Sequence, residues 1–331
     1  MSTQKNSISA LMRYGFYLCA SLTVFVLFGL SLKFGTFDLS FFDIWSILGN
    51  PQDSRYFTLM DYRMPRALLA LVMGAALAVS GVLVQSVVRN PLASPDILGI
   101  NHAAGLVAVL SLIFLPNLPF YWIPIFAFIG GALSFVLLWV ICGFNFKPIK
   151  MAIIGVALSA LWGAISHYVM LINPIDINSA MLWLTGSLWG RSWTYVNVVL
   201  PWILLLLPLP FLFCRDLDTM SLGEMKASTL GVAVNKTQIA VLCLAVALAT
   251  TATAVCGPIA FLGLVAPHLA RRLVGGRHRA LLPAAALIGA ILLLLSDILA
   301  RVINPPVELP AGILTAIIGA PYFFYLLTRT K

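Results

Sequence analysis

The stretch ILGINHAAGLVAVLSLIFLPNLPFYWIPIFAFIGGALSFVLLWVICGFNF, residues 97–146, runs for 50 residues without one Asp, Glu, Lys or Arg. A bilayer core about 30 Å thick takes about 20 residues of helix. A single span cannot use so long a run, and Leu115-Pro116-Asn117-Leu118-Pro119 divides it near its middle. It therefore reads as two membrane helices joined by a proline turn. Backbone groups in lipid must be bonded within their own segment, so apolar runs of this length are helical. A transmembrane barrel would show alternating strands of about ten residues, and this run does not alternate.

Working outward, charge-free stretches recur at 14–32, 67–88, 151–175, 192–214, 237–270, 280–296 and 309–328. The stretch 237–270 is long enough for two spans, divided at Cys256-Gly257-Pro258. Ten spans are expected, near 14–33, 66–88, 97–115, 120–142, 150–171, 195–214, 238–256, 258–272, 280–301 and 310–328. The eighth is short and carries Pro267. The first run is too long for the apolar part of a cleavable signal, and no Ala-x-Ala site follows it. The expected fold class is all-α: one polytopic transmembrane domain over 1–331. Charged residues make up 9% of the chain, against roughly 25% of a soluble domain. Hydrophobic residues make up 61%. That balance excludes a soluble enzyme and a disordered chain.

An even span count puts both termini on one side, and Lys and Arg give the orientation. With a cytoplasmic N-terminus, the inner side carries Lys5, Arg13, Arg89, Lys147, Lys150, Arg215, Lys226, Lys236, Arg271, Arg272, Arg277, Arg279, Arg329 and Lys331, 14 in all. The outer side carries Lys33, Arg55, Arg63, Arg66, Arg191 and Arg301, which is 6. The net charge of +9 thus reads as membrane topology and not as a nucleic-acid surface. Cys19, Cys142, Cys214, Cys243 and Cys256 form no Cys-x-x-Cys pair, and the four histidines are dispersed. Neither pattern suggests a structural disulfide or a resident metal.

Polar segments between the runs narrow the function. Residues 215–237 form the longest inner connection, and a short helix is expected at 222–230. Ser221 and Glu224 have capping-box spacing, and Leu230-Gly231 suits its end. With Leu222 and Gly223 this segment is either an interfacial helix or a docking element for a cytoplasmic protein. No Gly-x-x-x-x-Gly-Lys-Ser/Thr loop occurs, so any nucleotide-driven step belongs to another chain. The second run contains Gly74-Ala-Ala-Leu-Ala-Val-Ser80-Gly81 and ends near Gln85. These small residues favour close helix packing; alternatively Ser80, Gly81 and Gln85 line a pathway. Arg89 to Asp96 reads as a rigid turn on the inner side. Asp297 is an acid in an apolar run, one turn before Arg301, which reads as an i,i+4 pair or as snorkelling near the interface. Arg63, Arg66 and Arg301 either anchor helix ends or, standing where positive charge is sparse, meet an acidic partner.

These motifs resemble the iron-siderophore and vitamin B12 family of ABC importer permeases. The resemblance rests on Arg63-Met-Pro-Arg66, Gly74–Gly81, Gln85, Asn90-Pro-Leu-Ala-Ser-Pro-Asp-Ile-Leu-Gly99, Leu222-Gly-Glu224, Leu230-Gly-Val232, Gly257-Pro258 through His268, Glu308-Leu-Pro-Ala-Gly312 and Gly319-Ala-Pro321. They run in family order from about residue 61 onward. Trp183–Arg191 and Gly275–Arg279 are similar to the ferric-citrate branch. The resemblance implies the type II ABC importer permease fold in a bacterial inner membrane. It implies a second permease subunit, two copies of a cytoplasmic ATPase that use ATP and magnesium, and a periplasmic substrate-binding protein. No cofactor is expected on this chain. By resemblance, Arg63, Arg66 and Arg301 dock the binding protein, and 222–230 couples to the ATPase. The cargo implied is a ferric chelate, ferric citrate before other siderophores, haem or corrinoids. The competing class, an ion-coupled secondary transporter, needs midplane ion ligands, and the central runs carry almost no acids. No clustered constellation supports an intramembrane enzyme.

Overall fold

A membrane helix with Gly, Ala and Ser at its points of closest approach can be surrounded on every side. Met64–Val88 is such a helix in this computed structural model, which describes residues 2–35, 37–115, 117–143, 148–173, 177–305 and 307–329. Among the described residues fourteen α-helices follow one another: α1 (Ser2–Lys33), α2 (Phe41–Leu48), α3 (Met64–Val88), α4 (Ile100–Phe114), α5 (Ile123–Cys142), α6 (Pro148–Ile172), α7 (Ile177–Leu184), α8 (Trp193–Leu206), α9 (Cys214–Met220), α10 (Glu224–Thr229), α11 (Val234–Cys256), α12 (Leu262–Val274), α13 (His278–Val302) and α14 (Ala311–Arg329). No strand occurs among the described residues. Pro116 of the expected break, and Lys147 and Lys331 of the inner charges, lie outside the described residues. The end carrying residues 37–62 and 185–192 is termed outer, and the opposite end inner, after the basic-residue bias.

Among the described residues, helices overlap the expected segments with shifted bounds. Seven are long and apolar enough to cross a membrane: Met12–Lys33, Thr58–Val88, Ile123–Cys142, Lys150–Ile172, Trp193–Met220, Val234–Cys256 and His278–Val302. Ile100–Phe114 and Ala311–Tyr325 are shorter apolar helices, and α12 has only 13 residues. The span expected from 258 starts at Leu262 instead. The segment Gly257–Phe261 is irregular, and Phe261 takes φ 65 just before α12. The segment expected as one helix over 195–214 breaks after Leu206. Pro208 and Pro210 flank and enter a 3-10 turn, Leu209–Phe213, because proline removes donors that a continuous α-helix needs. The helix α2 was not expected. It starts on a capping box in which Ser40 Oγ accepts from Phe42 N at 3.2 Å and Asp43 Oδ2 accepts from Ser40 N at 2.9 Å. Its Ile44 and Ile47 are buried, while Phe42 and Trp45 face outward like interfacial anchors.

The packing is organised around α3, whose residues are buried almost without interruption from Pro65 to Gln85. It lies chiefly against α13, α11 and α12. Helices in lipid gain little from the hydrophobic effect, so close backbone approach and buried hydrogen bonds hold them together. Gly74 meets Gly289 of α13, and a Cβ on Gly81 would collide with the Gly263 carbonyl of α12. Between them Ser80 Oγ donates to the Ala245 carbonyl of α11 at 2.6 Å.

The inner turn after α3 differs from expectation in a second way. It starts at the surface with Asn90 and Pro91, but Ala93, Ser94, Pro95 and Leu98 are buried. Pro95 packs on Gly263 and the Ile97 carbonyl on Gly155. The segment therefore folds back between α12 and α6. Its Asp96 carboxylate accepts from Asn101 Nδ2, and Asn101 Oδ1 accepts from Thr253 Oγ1 at 2.8 Å.

Overpacking a tight helix contact costs about 1–3 kcal/mol. Gly81→Ala is expected to lower the unfolding temperature of the detergent-solubilised protein. Gly163→Ala in α6 meets nothing nearer than His102 at 3.7 Å, and is expected to be neutral or slightly stabilising. Equal behaviour of the two variants would contradict this packing.

Candidate functional site

At the outer end, Asp297 stands alone in an apolar helix face and must find cations. Arg66 Nε donates to its Oδ1 at 2.9 Å. Arg301, one turn along α13, brings Nη2 within 3.0 Å of Oδ2, so the expected i,i+4 pair forms. That second contact is an ion pair without a hydrogen bond; Nη2 also donates to Ser31 Oγ at 2.6 Å. Arg66 Nη1 continues to Glu308 Oε2 at 2.6 Å, and Tyr62 Oη donates to Glu308 Oε1 at 3.3 Å. Arg301 Nη1 donates to the carbonyls of Ser31 and Phe34 at 3.0 and 3.1 Å. Among the described residues no carboxylate lies within 4.0 Å of Arg63. Its Nη1 donates to the carbonyls of Leu32 and Lys33 at 2.8 and 2.7 Å, and Nη2 to that of Phe37 at 2.5 Å.

The three arginines are therefore not surface cations. Arg63, Arg66 and Arg301 are 2%, 1% and 2% exposed. The carbonyls left over at the C-terminal end of α1 draw Arg63 and Arg301 inward, and two carboxylates hold Arg66. Arg63 and Arg301 nevertheless border a cavity of about 790 Å³ that opens at this end. Glu308, Trp183, Trp189 and Arg191 line it too. On the neighbouring loop Arg55 pairs with Asp43 and Asp53 at 3.1 and 3.0 Å. The Ser40 backbone N–H and Arg55 hold the Asp43 carboxyl below the usual range, and Arg55 does the same for Asp53.

At the inner end, the expected capping box does not form. The helix α10 starts at Glu224, with Gly223 (φ 112) before it, so Glu224 is the first helical residue and cannot reach back as a third one. Ser221 ends α9 and spends its hydroxyl on the Asp218 carbonyl at 2.6 Å. Glu224 instead pairs with Arg89 Nη2 at 3.1 Å and accepts from Gln238 Nε2 at 3.2 Å. Gly231 takes φ 85 after the helix, and Leu222, Met225 and Leu230 are exposed.

Behind this segment lies a constellation that no spacing revealed. Asp218 of α9 accepts the His278 backbone N–H at 2.9 Å and lies 2.6 Å from His278 Nδ1. His278 Nε2 is 2.6 Å from Ser86 Oγ of α3. Carboxylates only accept, so Nδ1 carries a proton. The Ser86 hydrogen can point to Nε2 or to the Val82 carbonyl, 2.7 Å away. The contact thus survives either charge state of the ring. The residue types are those of a hydrolytic triad, but Ser86 lies within α3, where the helix uses the backbone donors that an oxyanion would need. The constellation ties α9, α3 and α13 together.

The pathway reading of Ser80, Gly81 and Gln85 is corrected. Ser80 is fully buried on α11 and Gly81 is pressed on α12. Gln85, 2% exposed, sits between the Leu264 carbonyl and Arg271, at 3.4 and 3.3 Å. All three are packing residues, because α3 has no open face. Asp96, half-buried beside Asn101, was missed because it stands at the edge of a charge-free run and not within one. Among the described residues no three His, Cys, Asp or Glu side chains converge on a metal site.

Residues 22–329 match the model of the FecCD transport family. The chain belongs to that family. It is 56% identical over 276 residues to the Fe(3+) dicitrate transport system permease protein FecD of Escherichia coli K12, covering 83% of this chain and 86% of that one. It is 49% identical over 272 residues to the Fe(3+)-citrate import system permease protein YfmE of Bacillus subtilis 168, covering 82% of each. Its fold matches an inward-facing metal-chelate type ABC transporter with a TM-score of 0.83 at 30% identity, over 97% of this chain and 99% of the other. PsaBC from Streptococcus pneumoniae shares the fold more loosely, with a TM-score of 0.56 at 19% identity, over 85% and 94%. The chain is thus an all-helical permease subunit of the ABC importer class, a transport component and not an enzyme. Family members work with ATPase and binding-protein partners.

Two outcomes follow from this geometry. Removing one partner of a buried ion pair leaves a bare charge and costs about 3–5 kcal/mol. Asp297→Ala should therefore lower thermal stability far more than Asp43→Ala, whose carboxylate is partly exposed. Similar losses would deny Asp297 its central place. His278→Ala should leave the complex assembled while reducing transport per ATP hydrolysed, and Ser86→Ala should do so more weakly. An unchanged ratio in both would show that the tie among α9, α3 and α13 plays no part in transport.

Proposed function

We propose that this chain is the membrane permease subunit of an ATP-driven importer that carries ferric citrate from periplasm to cytoplasm. The observation that carries the reading is the 56% identity to a ferric dicitrate permease over 83% of the chain. The second ferric-citrate relative supports the same cargo.

In this reading the ten apolar segments cross a bacterial inner membrane, and both termini are cytoplasmic. Gap lengths and the 14-to-6 distribution of Lys and Arg support it. Short α4 and α12 complete their crossings with the irregular segments that precede them. The assembly pairs this chain with a second permease, related but distinct, with two ATPase copies and with a periplasmic binding protein. ATP and magnesium belong to the ATPase.

The binding protein docks over the outer cavity. Arg63 and Arg301 border that cavity, and Arg66 is withdrawn by its two carboxylates. On the inner side α10 is too short to be stable alone, and its exposed Met225, with Leu222 and Leu230 beside it, needs a cover. The ATPase supplies that cover. ATP-driven closure then displaces α10 and α9, and Asp218, His278 and Ser86 pass the displacement to α13 and α3. The permease pair changes the side to which its passage opens by rigid-body movement.

The test is uptake of radiolabelled iron by cells lacking only this chain, offered as citrate, hydroxamate or catecholate complexes. Loss confined to the citrate complex, restored by the chain in trans, is the expected result. Undiminished citrate-dependent uptake would exclude the proposed cargo.

A further inference from the structure

Resting on that reading, we propose that the outer cavity is itself a receiving site for an anionic polycarboxylate chelate, with the Arg191 guanidinium as its anchor. The argument begins with charge. Three arginines and one acid, Glu308, line the cavity. Asp297 lies 3.0 Å behind Arg301, and Arg66 lies 2.6 Å from Glu308, so these two lining charges are balanced within the chain. Arg63 and Arg191 are not. Among the described residues neither has a carboxylate within 4.0 Å. Cations in a poorly hydrated recess are normally paired; Arg63 is held by carbonyls at the end of α1 and also feels Asp38 and Glu308, so the charge left for an anion is that of Arg191.

Arg191 differs from Arg63 in what it still has to offer. The three donor contacts of Arg63 go to backbone carbonyls, and its side chain is buried. Arg191 is half-buried. Its Nε donates to the Val255 carbonyl at 2.6 Å and its Nη1 meets Tyr195 Oη at 3.2 Å. No hydrogen bond from Nη2 occurs among the described residues. The guanidinium lies 4.8 Å from the centre of the Tyr195 ring, which fixes its plane. The loop that carries it is pinned to the end of α11, where Ser187 N donates to the Cys256 carbonyl at 2.7 Å. That helix C-terminus offsets about half a charge, and the remainder is unanswered. A planar, pre-oriented fork with a free edge suits a carboxylate. The cavity, at about 790 Å³, falls within the roughly 300–1,000 Å³ of small-molecule sites. Trp183 and the exposed Trp189 give the methylene groups of such a chelate an apolar wall.

The experiment uses the complete importer, with permease pair, ATPases and binding protein, reconstituted in vesicles. Arg191→Gln is compared with wild type for uptake of iron-55 citrate at rising concentrations of loaded binding protein, while association of that protein with the permease is measured in parallel. A lost charge-assisted hydrogen bond corresponds to about a ten-fold effect. The expected result is a fall of about ten-fold in maximal uptake, with binding-protein affinity unchanged and partial recovery in Arg191→Lys. If the Gln variant does not assemble, as judged by size-exclusion chromatography, the Lys variant keeps the charge, loses the fork and is read for an intermediate fall. Wild-type uptake by Arg191→Gln overturns the inference and leaves the proposed cargo standing. So does a loss that tracks weaker association, because Arg191 then meets the binding protein and not the chelate. Failure of the wild-type importer to move ferric citrate defeats the cargo reading, and this site falls with it.

Discussion

The architecture depends on one helix having no outside. From Pro65 to Gln85 nearly every residue of α3 is buried, and in lipid that is achieved by removing side-chain volume and not by adding apolar area. Gly74 against Gly289 and Gly81 against Gly263 bring backbones together. Ser80 adds a hydrogen bond that lipid could never supply. Large apolar side chains also remain at the periphery. Phe25 of α1, Val140 of α5 and Leu171 of α6 are widely exposed, an arrangement suited to acyl chains and costly in water.

Polar contacts then fix α3 to α13 at both ends. Arg66 meets Asp297 at the outer end, and Ser86 meets His278 at the inner end, with the paired glycines between them. Three separated attachments resist sliding as well as tilting, so the two helices form one stiff unit. A unit of this kind can be shifted as a whole by what happens at α9, and a permease that changes access by rigid-body movement requires such units. The outer carboxylates serve the same economy. Asp297 and Glu308 neutralise Arg66 and Arg301 where water cannot, and leave the neighbouring cavity positive through Arg191.

Much of this was legible in the residues. Charge-free gaps located the helices because a bilayer imposes a length on apolar runs, and the Asp297–Arg301 pair followed from helical spacing. Helix ends were read less well. Pro208 and Pro210 split a run that composition left whole, and Phe261 with Gly257 delayed the start of α12. The Ser221–Glu224 spacing was that of a cap, yet Ser221 was already committed to the preceding turn. Ser80 and Gln85 suggested a lined passage, since polar side chains in a span either face water or bond a neighbour, and only their partners distinguish the two.

The sequence by itself determined that this is a polytopic helical membrane protein, which side its basic residues favour and which family its motifs resemble. Those properties depend on composition and on local order along the chain. Only the tertiary structure decided that the arginines of the outer end are buried, that Asp218, His278 and Ser86 meet across 192 positions, and that Asp96 lies inside a folded-back turn. Each of these depends on where distant helices cross, and crossings are set by the fit of side chains around α3, which the order of residues does not display.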